Sequence, residues 1–415
     1  MILDSSDSLV TGIKRSTSDS NLDQMFGYSA DEVENTSTIE VVGSGNIDKA
    51  YLEFKNYLDS LIHFELSFDK NLVLTPIELN VLMGRIKDYS GHINYEEWSH
   101  VFIDKLFKNS YDHGNRKFAL IIDLPKINSF LNDLTATEEK PFEFNVEGDL
   151  PWSAFSSCKN VIANITGDVD AYFGFKSSDC KFIINGNVSN NAFRNSNHLD
   201  ISVNGDVGNN FAFGNENLNV NIKGEIGSSF GWKSKNSNYV VEGDITYNAL
   251  SYAIDSSIRI KGNVDEYFGP FSNNLFAIIE GDVRMKFGSQ STNMKSFIKG
   301  NVGANLGIFS NNFTAGILGY VFGAFGRGTN DLLVAVDGNV NNFYNDGLRN
   351  KVYVSKNNGT PNFNLNVVLG EDATTNPEYI KLMQELDLEM KKLEGMRQWL
   401  QINLLQSNVA MIHQI

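Results

Sequence analysis

Eleven glycines recur at a spacing of nineteen residues: Gly148, Gly167, Gly186, Gly205, Gly224, Gly243, Gly262, Gly281, Gly300, Gly319 and Gly338. A phase kept through ten steps means one short unit stacked on itself, each coil completing its core against its neighbours. Nineteen residues are too few for a hairpin plus a helix. They suffice for one turn of a parallel β-helix, and eleven or twelve such turns at about 4.8 Å each make a rod of roughly 55 Å.

The columns around the glycine assign an inside and an outside. We number positions from the ladder glycine. Position −2 is Val or Ile in every coil, from Val146 to Val336, and position +2 is aliphatic from Leu150 to Val340. Position −4 is mostly apolar (Phe144, Phe182, Ile201, Val220, Tyr239), so −4 and −2 alternate with the period of a half-buried strand. Position +6 mixes large and small residues, as in Ala154, Phe173, Ala192 and Phe211, and reads as an internal stack. The glycine is expected at a turn that needs positive φ. Asp, Asn or Glu follows it in all but one coil and is expected to bond its own backbone there. This assigns the acidic column Asp149, Asp168, Asp206, Asp244 and Asp282 to turn chemistry. At −1, Lys223, Glu242, Lys261, Glu280 and Lys299 alternate in sign, which suits a solvated face that helps fix register. The phase decays after Gly338: the apolar positions slip by one in Val352-Tyr353-Val354, and Phe363–Val367 reads as a last strand.

The runs VNGDVGNNFAFG, IKGEIGSSFGW and IKGNVGANLG within residues 142–345 resemble the glycine-rich β-helix found in the C-terminal domain of glutamate synthase and in formylmethanofuran dehydrogenase. Gly208, Gly227 and Gly303 hold that pattern's second glycine, and Gly174, Gly231, Gly269, Gly288, Gly307 and Gly326 its third. Several coils lack one or both. The resemblance implies a right-handed parallel β-helix used as a structural and interdomain element. It carries over no catalytic residue and no cofactor, since the chain lacks the amidotransferase cysteine, the flavin barrel and a cysteine cluster.

The flanks differ in kind. Residues 1–45 are rich in Ser, Asp, Asn and Thr and read as a disordered or loosely docked polar arm. Residues 46–141 read as a mainly helical capping region: Tyr51, Phe54 and Leu58 with Leu61 and Ile62 keep helical spacing, Thr75-Pro76-Ile77-Glu78 is a capping box, and a third helix follows near Tyr95. Phe118–Asp123 reads as a strand and a first rung before the ladder. The β-helix is expected over 142–370, with a helix over 376–408 that starts at Asn376-Pro377-Glu378. Leu386, Met390, Leu393, Leu400 and Leu404 fit either a short coiled coil or a helix laid on the solenoid.

Site signals are sparse. With Gly91 as position 6 of an EF-hand loop, Asp88, Ser90 and Glu97 fall at ligand positions, but Ile86 stands where the first carboxylate belongs. A calcium site is therefore not expected. The net charge of −16 repels nucleic acid overall. The two cysteines, Cys158 and Cys180, stand in different columns, and no secretory signal is recognisable, which together suggest a reducing, cytoplasmic setting. The stretch Phe313–Phe325 is too short to span a bilayer and keeps the repeat phase. Its Leu318, Tyr320 and Phe322 take outward positions that other coils fill with polar residues, and so mark a contact surface for the C-terminal helix, a second copy or another ligand.

These features favour a non-catalytic scaffold acting through a protein partner or self-association. An accessory component of a larger enzyme complex and a polysaccharide-binding or -cleaving β-helix are the alternatives. Whether a small-molecule ligand binds is left open by the sequence.

Overall fold

A computed structural model of the chain describes residues 44–59, 71–121, 131–340, 349–355, 367–369, 371–385, 387–388 and 391. Asn46–Arg397 forms one compact unit; of the other, Met1–Gly45 with Gln398–Ile415, only Ser44 and Gly45 are described.

The fold is a β-solenoid. Among the described residues, fourteen strands, from β1 (Lys117–Ile121) and β2 (Phe142–Glu147) to Val367–Leu369, stack in parallel in chain order. Most pairings join residues nineteen apart, such as Val146 with Ile165 and Ile260 with Ile279. The expected slip is present, since Val336 pairs with Val354. The last strand is Val367–Leu369, at the end of the predicted Phe363–Val367; residues 363–366 lie outside the described residues. A second contact line runs through +2, where Leu150 bridges Val169, Val169 bridges Val188, and so on to Val340.

The inward columns are as expected. Residues at −4, −2, +2 and +6 are buried in coil after coil, and one continuous apolar core runs from Ala50 to Val354. The ladder glycines, however, are there for a different reason than positive φ. Only Gly148 and Gly167 take left-handed values, at 113° and 149°. From Gly167 to Gly338, a Cβ at each ladder position would collide with the carbonyl oxygen of the glycine one coil earlier. The column is glycine because adjacent backbones touch there.

The left-handed residues lie elsewhere, at +5, +7, +9 and +12, for example Asn191, Phe193, Asn195 and His198. Position +7 explains the irregular third glycine. Where +6 is small, +7 is large, as in Ala154-Phe155, Ala192-Phe193 and Ala249-Leu250; where +6 is Phe, +7 is Gly or Ala. The Phe193 ring lies 2.6 Å from where a Cβ on Gly174 would stand. Buried serines at +10 satisfy +7 carbonyls of their own coil or of the coil before: Ser272 Oγ donates to Gly269 O at 2.7 Å, and Ser196 Oγ to Gly174 O at 2.8 Å.

The helices close the first rung. The Thr75–Glu78 capping box starts α2 (Pro76–Ile86), which follows α1 (Ser44–Asp59) and precedes α3 (Tyr95–Asp112). Asn80 of α2 donates to the Ala119 carbonyl of β1. On α3, the Phe107 ring lies 4.5 Å from Phe118 and 5.8 Å from Phe144, and Tyr111 stacks 4.0 Å from Phe142. The end of the apolar core is thereby covered. Leu61 and Ile62 lie outside the described residues.

At the other end, Asn376 caps the helix over 377–385 by accepting from the Glu378 amide at 2.9 Å. Tyr379, Leu382 and Met383 pack on the outer face of the sheet against Phe276, Ile278, Phe297, Leu333 and Ala335. Glu378 accepts from Lys351 Nζ and Tyr353 OH, each at 2.5 Å. This part of the helix is laid on the solenoid. Leu386, Met390, Leu393, Leu400 and Leu404 lie outside the described residues. Leu382 is 3% exposed. Leu382→Ala should loosen the helix by about 2–3 kcal/mol. Faster amide exchange confined to 377–385, with the strands still protected, would show it; unchanged exchange there would refute the packing.

Candidate interaction surfaces

Each coil shows solvent two faces besides the sheet. The turn face holds +1 to +3. Its acidic column does not bond its own backbone as the sequence suggested. From Asp149 to Asn301, each Asp or Asn oxygen instead accepts the amide of the +1 residue one coil later: Asp149 from Asp168 at 2.8 Å, Asp168 from Asn187 at 2.6 Å, Asp244 from Asn263 at 2.6 Å and Asn301 from Tyr320 at 3.0 Å. These carboxylates are structural acceptors that tie coil to coil. At −1, Lys261 pairs with Glu242 at 3.0 Å and Lys299 with Glu280 at 3.4 Å, as the alternating signs require. Burial opposes the charge on Glu280, but the buried Arg259 guanidinium and Lys299 outweigh it and hold the carboxyl below its usual range.

Tyr320 interrupts the Asx column, as Glu225 does earlier; the tyrosine side chain offers the next coil no carbonyl or carboxylate. Leu318, Tyr320 and Phe322 are 39%, 45% and 55% exposed, and the last two rings stack at 6.0 Å. They point outward as the repeat phase predicts. The described part of the C-terminal helix does not cover them; it packs on the sheet around Phe297 and Ala335.

The second face, from +4 to +9, carries the left-handed residues at +5, +7 and +9 and a feature the sequence reading missed. Phe213 lies 4.4 Å from Trp232, Trp232 lies 5.8 Å from Tyr252, and Tyr252 stacks 4.8 Å from Phe271. Arg194 covers the Phe213 ring at 4.4 Å and Lys233 the Trp232 ring at 4.5 Å. Further along, Trp152 meets Tyr172, and Tyr247 meets Tyr267. The signal was present at +8 and +9, but the aromatics cross from one column to the other between Trp232 and Tyr252, so neither column alone looks regular.

Asp88 and Ser90 sit exposed between α2 and α3, beside the 3-10 turn Lys87–Tyr89, and the side chain of Glu97 lies outside the described residues. Ile86, at the first ligand position, is fully buried in the core, and Ile93 is 92% exposed. Among the described residues, no three His, Cys, Asp or Glu side chains gather as a metal site. No described helix is long and apolar enough to cross a membrane.

Cys158 and Cys180 are free thiols buried in the core. Burial pushes both up, Cys180 to about 12 and Cys158 higher. Since the thiolate is the reactive form, both should resist thiol reagents at neutral pH until the solenoid unfolds. Rapid titration of the native protein would contradict the burial.

No family model matches this chain, and no curated protein or solved structure matches it.

Proposed function

We propose that the protein is a non-catalytic scaffold whose solenoid presents contact surfaces to protein partners, itself included. The observation that carries this reading is the division of labour among the outward residues. The polar ones that recur with the repeat bond the next coil, as the Asp and Asn ladder does. Those that depart from the repeat, Leu318, Tyr320 and Phe322, are large, apolar and exposed. Packing of the coils accounts for the first set and not for the second, and exposed apolar clusters on soluble proteins mark association sites.

Affinity purification from the native cell with mass spectrometry, paired with light scattering of the purified chain, tests the proposal. A co-purifying protein or a mass above the monomer is expected, and a partner held at the apolar cluster is lost in Tyr320→Ser/Phe322→Ser. A monomer that brings down no protein at any salt concentration overturns it.

A further inference from the structure

The +4 to +9 face is built unlike the rest of the molecule. The chain carries a net charge of −16, yet positions +4, +5, +8 and +9 between Trp152 and Gly328 hold Lys176, Arg194, Lys233, Lys286 and Arg327 against a single acid, Glu266. Lys176, Arg194, Lys233 and Lys286 lie over aromatic rings. Tyr252 and Phe271 are 42% and 45% exposed. Enrichment in Trp, Tyr, Phe and Arg with few carboxylates is the composition of a protein interface core. The neighbouring turn face is its electrostatic opposite. It holds exposed Asp149, Asp168, Asp170, Asp206, Glu225 and Asp244, with Arg284 as its single basic residue.

Ring orientation narrows the ligand. Tyr252 and Phe271 are stacked with their planes 9° apart, Phe213 is tilted by 37° to Trp232, and Trp232 meets Tyr252 nearly at right angles, 83°. Stacking occupies the faces between Tyr252 and Phe271, and Arg194 and Lys233 lie over the Phe213 and Trp232 rings, so few ring faces of the ladder are left open. Sugars and nucleobases bind aromatic side chains through ring faces. A protein surface with carboxylates for the cations and short side chains between the ring edges suits it better. Another copy of the chain has both, repeated at the same coil spacing, so each coil of one molecule can meet a coil of the next.

We infer that the aromatic, cationic face around Arg194, Phe213, Trp232, Lys233, Tyr252 and Phe271 binds the acidic turn face of a second copy of this chain. The inference rests on the scaffold reading and names its partner. Because the two faces differ, the contact is heterologous. Each copy keeps one face of each kind open, so further copies add side by side, into a ring if the rotation between them closes and an open row if it does not.

Sedimentation of the full chain over a range of concentration and salt tests this. The wild type should grow in mass with concentration and shrink as salt screens the contact. Arg194→Glu/Lys233→Glu, with an unchanged melting curve, should weaken association at least tenfold. Asp170→Lys/Glu225→Lys, which leaves the Asx ladder intact, should do the same, and mixing the two variants should restore association. Failure of the mixture to recover overturns the inference. So does a wild type that stays monomeric at every concentration. If that monomer still captures another protein through this face, the scaffold reading survives and the second copy is wrong; if it captures none, both fall. A labelled oligo(dT) strand bound by the monomeric wild type and lost in Arg194→Glu/Lys233→Glu would assign the face to nucleic acid instead.

Discussion

Replacing Gly243 with alanine should destabilise the solenoid by about 4 kcal/mol or more, among the largest effects a single methyl group can have. The added Cβ would meet the carbonyl oxygen of Gly224 and lie 2.5 Å from its carbon and 2.8 Å from the Glu225 nitrogen. All three are backbone atoms of the neighbouring coil, so no side chain can swing away. Relief requires the coils to part, which lengthens the adjacent ladder bonds. Gly84 gives the contrast. It lies inside α2 with nothing within 4 Å of the added carbon. Gly84→Ala should therefore stabilise by about 0.5–1 kcal/mol, because alanine restricts the unfolded chain and favours helix. Urea unfolding of the two variants decides the point. Equal and small effects would mean that the ladder glycines are not held by backbone contact.

The second large effect concerns the paired positions +6 and +7. Phe193→Gly empties a site that is fully buried and touches Phe173 at 5.3 Å and Phe211 at 5.4 Å, and should cost about 4 kcal/mol. Ala192→Phe alone overfills the same layer and should cost about 1–3 kcal/mol. The double change Ala192→Phe/Phe193→Gly converts this coil to the Phe-Gly pattern of its neighbour at Phe173-Gly174, and should recover most of the loss. Adjacent +6 phenylalanines are already tolerated, since Phe268 and Phe287 stack at 5.1 Å. Position 193 has a φ of 55°, which glycine adopts at less cost than phenylalanine. A double variant as unstable as Phe193→Gly would show that volume is not exchanged between the two positions.

Much of the fold was legible because a parallel solenoid converts sequence period directly into spatial neighbourhood. A residue's partner is the one nineteen positions on, so the columns of −4, −2, +2 and +6 are the core itself. The capping box at Thr75 and the Asn376 cap were readable for the same local reason: each is complete within four residues. What was misjudged involves contacts whose chemistry depends on the distance between coils. The glycine column looked like a turn requirement, and the Asp and Asn column looked like local turn bonding. Both are consequences of two backbones lying side by side.

The surfaces were the least legible part. Leu318, Tyr320 and Phe322 stood out because they break a polar pattern along one coil. The Phe213–Phe271 ladder did not, because it shifts from +8 to +9 at Tyr252, so its rings meet across two columns. The place of the C-terminal helix was likewise open. Its apolar positions fit a coiled coil or the solenoid equally well, and Phe297 and Ala335 gave no sign of a partner until Leu382 was found against them.

The sequence by itself determined the parallel solenoid, its nineteen-residue coil and which columns face inward, because those follow from periodicity and burial alone. Only the tertiary structure decided why the glycines are obligatory, what the acidic column bonds, where the last helix lies and which outward side chains join into one face. Each of these is set by the approach of one coil to the next or by the bend within a coil, and neither distance is written in the order of residues.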